Sequence, residues 1–288
     1  MDSYRQVLVV HEGAQLERDL LDFAAVFASL DPTTRMRVAA IPREGVPLAL
    51  ATAARAVCAG RGVTDVTVQL LTEPEQDAVF DAALRAGADL LVVRHPGRSD
   101  DGPDLLRRFL LESPCAVCFV PRASAVHLRK VVAAIDLGPS SHRVMAHANA
   151  LCARARVEEL IAFHAVEDRA SLPYADEDGG ERRREEAVLA LYRCRSQAPP
   201  AASRFSPVVA VGAGWDRALL QATAAHGADL VIVGGGPPVA PRAWRRRPLE
   251  YLSGECDVPL LVLMAPPPPA AEQRLLRRIL SASEPAFN

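Results

Sequence analysis

The chain has 288 residues, half of them hydrophobic, and a formal net charge of −2. That is enough apolar material for one large core or two ordinary ones, and a charge so near zero excludes a global pull toward nucleic acid or an anionic membrane surface. Six scattered cysteines in a chain of this length do not read as a disulfide framework, which points to a reducing, cytoplasmic setting.

The first apolar run, Val7–Val10, is strand-length and far short of the roughly 20 residues a bilayer demands, so neither a leader nor a membrane span is expected. Leu16–Leu30 has helical spacing, Arg37–Ile41 reads as a strand, and Val46–Ala59 as a helix. A strand over Val66–Leu71, a helix over Glu75–Ala86 and a strand over Leu90–Val93 follow. Leu105–Leu111 reads as a helix and Val117–Val120 as a last strand.

From Arg129 the pattern starts again. Arg129–Ala134 resembles Arg5–Val10, 124 residues earlier. Gly87–Val93 recurs as Gly227–Val233, 140 residues later, with five of seven positions identical. Upstream, Pro74–Ala86 aligns with Gly214–His226 without a gap. Downstream, Ala116–Val120 matches Pro259–Leu263 at an offset of 143. The second copy has gained 16 residues between its start and its heptad. The obvious place for the insertion is around Asp168–Gly180, an acidic stretch with Pro173 and two glycines that reads as a loop, before a charged helix from Glu181 to about Cys194. A diverged repeat of this kind is a fold-level signal.

Leu90–Val93 and Leu230–Val233 are apolar throughout, as in strands covered by helices on both faces. Helix-length crossovers between them require parallel pairing and right-handed connections. The expected fold is α/β: two tandem doubly wound five-stranded parallel sheets, over residues 1–125 and 126–268. Pro266–Pro269 forms a stiff spacer, and in the tail at 269–288 Leu275, Leu276, Ile279 and Leu280 make a small apolar stripe suited to packing on the second domain.

Val131–Ser141 ends a strand in Asp136-Leu137-Gly138-Pro139-Ser140; Gly227–Gly234 carries a second motif; Asp257–Leu263 closes the copy. Three motifs in this order resemble the universal stress protein family, more closely in the second half than in the first. The resemblance implies a nucleotide-type crevice near Asp136 and Gly138, with Gly234 as the first of the glycines that let backbone amides approach phosphate in nucleotide-binding members. Pro237 takes the second glycine's place, and Arg246-Arg247 (or Arg247-Pro248) takes that of the Gly-Ser pair. In the first half His11 replaces the Asp, and Arg94-His95-Pro96-Gly97 lacks the glycines. ATP is therefore not expected in the first domain, and remains open as a ligand for the second.

Arg242–Arg247, with Trp244, is suited to an anionic ligand or an acidic protein, or else is a solvated basic loop balanced by Glu250 and Glu255. Cys115 and Cys118 are spaced like a redox pair, but three residues along a strand put them on opposite faces. His142 and His147 read as surface residues, and Ser140 and Ser141 as helix caps. Enzymes of the related nucleotide α-hydrolase type carry a Ser-Gly-Gly-x-Asp-Ser loop that neither half has. The expected function is that of a non-catalytic stress-response protein binding a small ligand or protein partner, against a slow ATP-hydrolysing switch in the second domain. The two copies are expected to pair as a pseudo-dimer through their last strands, Ala116–Val120 and Pro259–Leu263, leaving a further homodimer open.

Overall fold

The computed structural model describes residues 4–11, 17–41, 47–71, 76–95, 106, 108–110, 113–122, 124, 126–138, 141–166, 179–212, 214–235, 251–252 and 254–264. The first half runs β1 (Gln6–His11), α1 (Arg18–Ser29), β2 (Arg35–Ala40), α2 (Pro47–Ala59), β3 (Val66–Leu70), α3 (Gln76–Ala86), β4 (Leu90–Arg94) and β5 (Ala116–Val120). The second runs β6 (Lys130–Ala134), α4 (Ser141–Ala155), β7 (Glu159–Val166), α5 (Gly179–Ser196), β8 (Arg204–Val211), α6 (Trp215–His226), β9 (Leu230–Gly234) and β10 (Leu260–Leu263). Residues 106 and 108–110 are helical ahead of β5, as are 251–252 and 254–255 ahead of β10. The spacer and tail, residues 168–178 of the expected acidic loop and the arginine loop lie outside the described residues, while Gly179 and Gly180, expected in that loop, already open α5.

The strands make one ten-stranded sheet in the order β3-β2-β1-β4-β5-β10-β9-β6-β7-β8. Within each half every pairing is parallel. The halves meet where β5 and β10 run antiparallel, with Phe119 opposite Leu260, Cys118 opposite Leu261 and Val117 opposite Val262.

Because successive strand residues alternate faces, the sheet has two cores. On one face Val7 and Val9 pack with α1, α2, α4 and α5. On the other Leu8 and Val10 pack with α3, α6 and the short helices at Leu106–Phe109 and Leu252. Both cores cross the seam: Cys118 and Leu261 join the first, and Val117, Phe119, Leu260 and Val262 the second. Cys115 belongs to the second core and Cys118 to the first, so the two thiols face away from each other.

The repeated heptad has a structural cause in each half. Gly87 and Gly227 both take φ +60° after a helix, the left-handed turn that ends a helix with least strain in glycine. The Asp that follows two positions later ties the strand ends together. Asp89 Oδ2 accepts the backbone N–H groups of Arg5 and Gln6 at 2.8 and 3.1 Å. Asp229 Oδ2 accepts those of Arg129 and Lys130, both at 2.8 Å.

Candidate functional site

In an open α/β sheet, ligands bind beyond the carboxyl ends of the strands where the strand order reverses. In the second half that point lies between β6 and β9, since β6 leads on to β7 on one side while β9 leads to β10 on the other. Asp136 follows β6 and Gly234 ends β9, so both family-type positions stand at this edge. Asp136 is exposed, but its carboxylate is held. Oδ1 accepts the Gly138 N–H at 2.9 Å and the Ser141 hydroxyl at 2.6 Å.

Two features of the turn explain its sequence. Leu137 takes φ +57°, a conformation that costs a bulky residue roughly 1–2 kcal/mol. Gly138 lies so near that a Cβ there would sit 3.2 Å from Asp136 Oδ2 and 3.3 Å from Oδ1. A side chain at 138 would push against the carboxylate its own amide holds. Ser141 is the first residue of α4 and is buried, and its hydroxyl goes to Asp136; the expected capping role gives way to fixing the carboxylate. Pro139 and Ser140 lie outside the described residues.

Arg143, on the first turn of α4, was not legible as a site residue. Its guanidinium donates to the carbonyls of Met264 at 2.6 Å and Leu263 at 3.0 Å, at the carboxyl end of β10. Among the described residues no carboxylate lies within ion-pair distance of it. Burial lowers its pKa. A cation in a helix's first turn opposes the macrodipole, and that misfit was the available sequence signal. Beside it, the Gly235 N–H also reaches Leu263 O, at 2.9 Å. The edge thus combines a fixed carboxylate, a glycine strand end and a cation whose partners among the described residues are carbonyl dipoles. Arg246 and Arg247 lie outside the described residues, as does all of Arg242–Arg247.

The first half fills the corresponding place from within. Arg94 occupies the position of Gly234, since Arg94 pairs with Val120 where Gly234 pairs with Leu263. Its side chain, only 10% exposed, binds Glu17 at 3.0 Å and Asp19 at 2.7 Å. It also donates to the Pro121 carbonyl at 2.8 Å, the counterpart of Met264. Burial is the largest single influence on this guanidinium and lowers its pKa, but the bonds and charges of Asp19 and Glu17 together outweigh it and leave the pKa raised.

Two expectations are corrected by register. His11 does not occupy the place of Asp136. Val7 pairs with Leu90 as Val131 pairs with Leu230, which sets His11 level with Ile135 and Glu12 level with Asp136. His11 is accordingly buried, as Ile135 is, and Glu12 lies outside the described residues. Nor is His147 a surface residue. It is 7% exposed, and its Nε2 lies 2.6 Å from the Tyr4 hydroxyl of the other half. His142 is exposed as expected, with its Nδ1 at 4.0 Å from Cys194 Sγ. Among the described residues no group of His, Cys, Asp or Glu is arranged to hold a metal ion, and no helix is long and apolar enough to cross a membrane.

Comparison with solved structures shows the fold. A putative universal stress protein from Pseudomonas aeruginosa UCBPP-PA14 superposes with a TM-score of 0.70 at 15% identity, over 97% of this chain and 98% of its own. A functionally unknown protein from Pseudomonas aeruginosa PAO1 gives 0.69 at 16% identity, over 98% of both chains. A universal stress protein from Archaeoglobus fulgidus DSM 4304 gives 0.57 at 12% identity, over 89% of this chain and 96% of its own. No curated protein matches the chain. Residues 127–263, most of the second half, match the sequence model of the universal stress protein family.

Proposed function

We propose that the protein is a non-catalytic, cytoplasmic, universal-stress-type binding protein built as a pseudo-dimer of two such domains, in which only the second domain takes a ligand. The observation that carries this reading is the contrast between the two carboxyl edges. The second keeps Asp136 fixed beside Gly138 and Ser141, a glycine strand end at Gly234, and Arg143 with no carboxylate partner among the described residues. The first has Arg94 at the glycine position, neutralised by Glu17 and Asp19. A ligand with a hydroxyl or amine for Asp136 and an anionic end for Arg143 suits the second edge. The pseudo-dimer reading is supported by the antiparallel pairing of β5 with β10. Absence of a catalytic role is supported by Asp136 being committed to a turn and a helix start.

A second reading makes the ligand ATP, slowly hydrolysed, and is favoured by Asp136 and Gly234 standing together at the switch point. Against it, Pro237 supplies no amide hydrogen where the family has its second glycine. The test is calorimetric titration of ATP with magnesium into the whole chain and into the Asp136→Ala and Arg94→Gly variants, beside mass analysis of any small molecule that co-purifies. If the second domain binds the nucleotide, Asp136→Ala weakens it by about 1–3 kcal/mol, the scale of a charged hydrogen bond. Binding that Asp136→Ala leaves intact overturns the site assignment. Two equivalents bound per wild-type chain overturn the silence of the first domain. Replacement of Arg245, Arg246 and Arg247 by alanine asks separately whether an anionic or acidic partner uses that loop.

A further inference from the structure

α5 buries Ala187, Leu191 and Cys194 against the sheet. Its opposite face carries Arg182, Glu185, Glu186, Leu189, Tyr192 and Arg193, all exposed and spaced by three and four residues, so they form one stripe along the helix. At the centre of the stripe Leu189 is 54% exposed and Tyr192 49%. The tyrosine is held in place, since its ring meets Phe205 of β8 edge-on with centroids 5.4 Å apart. One exposed leucine needs no explanation. Two large apolar side chains with an acid four residues before the leucine and a base four residues after it do.

The placement of Glu185 and Arg193 about Leu189 is what names the occupant. Glu185 stands four residues before Leu189 and Arg193 four residues after it. We infer that α5 pairs antiparallel with α5 of a second copy of this chain, about a two-fold axis at Leu189. There Leu189 meets Leu189 of the copy, and Glu185 and Arg193 each meet the opposite charge, twice over by symmetry. A parallel crossing would set acid on acid and base on base. The neighbouring sheet edge offers no competing route. In β8 the amides that bond β7 are those of Arg204 and every second residue after it, so Pro207 falls on the outer side. A proline there removes an outward donor from the middle of the edge, which disfavours strand-to-strand extension. A single helix crossing buries less than a standard interface, so the dimer is weak and reversible.

Sedimentation velocity of the full chain over a concentration series tests this. The wild type sediments as a monomer at low concentration and as a dimer at high concentration. Leu189→Lys removes the dimer. Glu185→Arg and Arg193→Glu each turn two attractive pairs into two repulsive ones and weaken the dimer about tenfold, on about 1–2 kcal/mol for a pair of exposed contacts. The double variant Glu185→Arg/Arg193→Glu restores it. All three positions are exposed, so thermal midpoints stay at the wild-type value, which separates lost pairing from lost folding. A chain monomeric at every concentration overturns the inference. So does a dimer indifferent to Leu189→Lys, or a double variant as weak as the single ones.

Discussion

His147 shows how a single residue can be misjudged from spacing. It sits on α4, and the Tyr4 ring of the first half packs against it with centroids 5.3 Å apart, a contact that helical spacing cannot reveal. Burial lowers its pKa to about 3, with the nearby Arg143 charge adding to the effect. The imidazole is therefore neutral in the fold, where Nε2 can accept the Tyr4 phenol proton at 2.6 Å. In the unfolded chain an ordinary histidine takes a proton below about pH 6.5. The unfolded state then binds more protons, so stability falls with falling pH from about 6.5 down toward the folded value. By pH 5 the loss from this group alone is about 2 kcal/mol. Urea midpoints at pH 7.5 and 5 measure it, and His147→Gln, which keeps a partner for Tyr4 without titrating, flattens the difference. The same scale holds a second expectation. Gly138→Ala should displace the Asp136 carboxylate, whose oxygens stand 3.2–3.3 Å from the new Cβ, and reduce ligand binding without unfolding the chain.

Elements were legible where local chemistry and fold agree. The heptad ending α3 and opening β4 repeats in α6 and β9 because glycine and aspartate have the same backbone duties in both places. Asp89→Ala should cost about 1–3 kcal/mol by leaving two strand-end amides unpaired, read as a shift in the chemical-denaturation midpoint. α4 ends differently. Arg156, exposed, takes φ +52° where α3 and α6 have glycine, so Arg156→Gly should stabilise by about 1 kcal/mol, and a lowered midpoint would show that the arginine makes a contact worth more than its strain. What the sequence hid was side-chain contact between elements distant in the chain. Arg94 to Glu17 and Asp19 spans 77 and 75 residues, and no spacing rule reaches that far. The position of Asp136 was readable from its own turn, whereas its counterpart in the first half was misassigned by one residue, an error that only strand register resolves. The arginine of α4 was passed over because its partners are backbone carbonyls of β10, which leave no residue-type signature.

At the scale of the whole molecule, everything turns on β5 and β10. Each is apolar on both faces and, taken alone, would close its own half at a sheet edge, where a flat apolar strand templates aggregation. Antiparallel pairing converts both edges into the centre of a ten-stranded sheet, and the cores on either face run through the seam without a break. Tethering in one chain keeps such a pair closed at an effective concentration of about millimolar, even where its intrinsic affinity is modest. The two halves should therefore unfold together, in one transition. Leu261 is fully buried opposite Cys118, and Leu261→Lys places a charge there with no partner, a cost of about 4 kcal/mol or more, among the largest for a single substitution. Leu70→Lys makes the same chemical change on β3, the outer strand of the first half, where the side chain is 45% exposed, and should shift stability by no more than about 0.5 kcal/mol. Comparing the two urea midpoints isolates the seam from any general intolerance of lysine in strands. If Leu261→Lys loses its single transition and broadens or aggregates while Leu70→Lys behaves as wild type, the last strands hold the halves together. A Leu261→Lys protein that keeps the wild-type midpoint and compact scattering profile would place the force that joins the halves elsewhere.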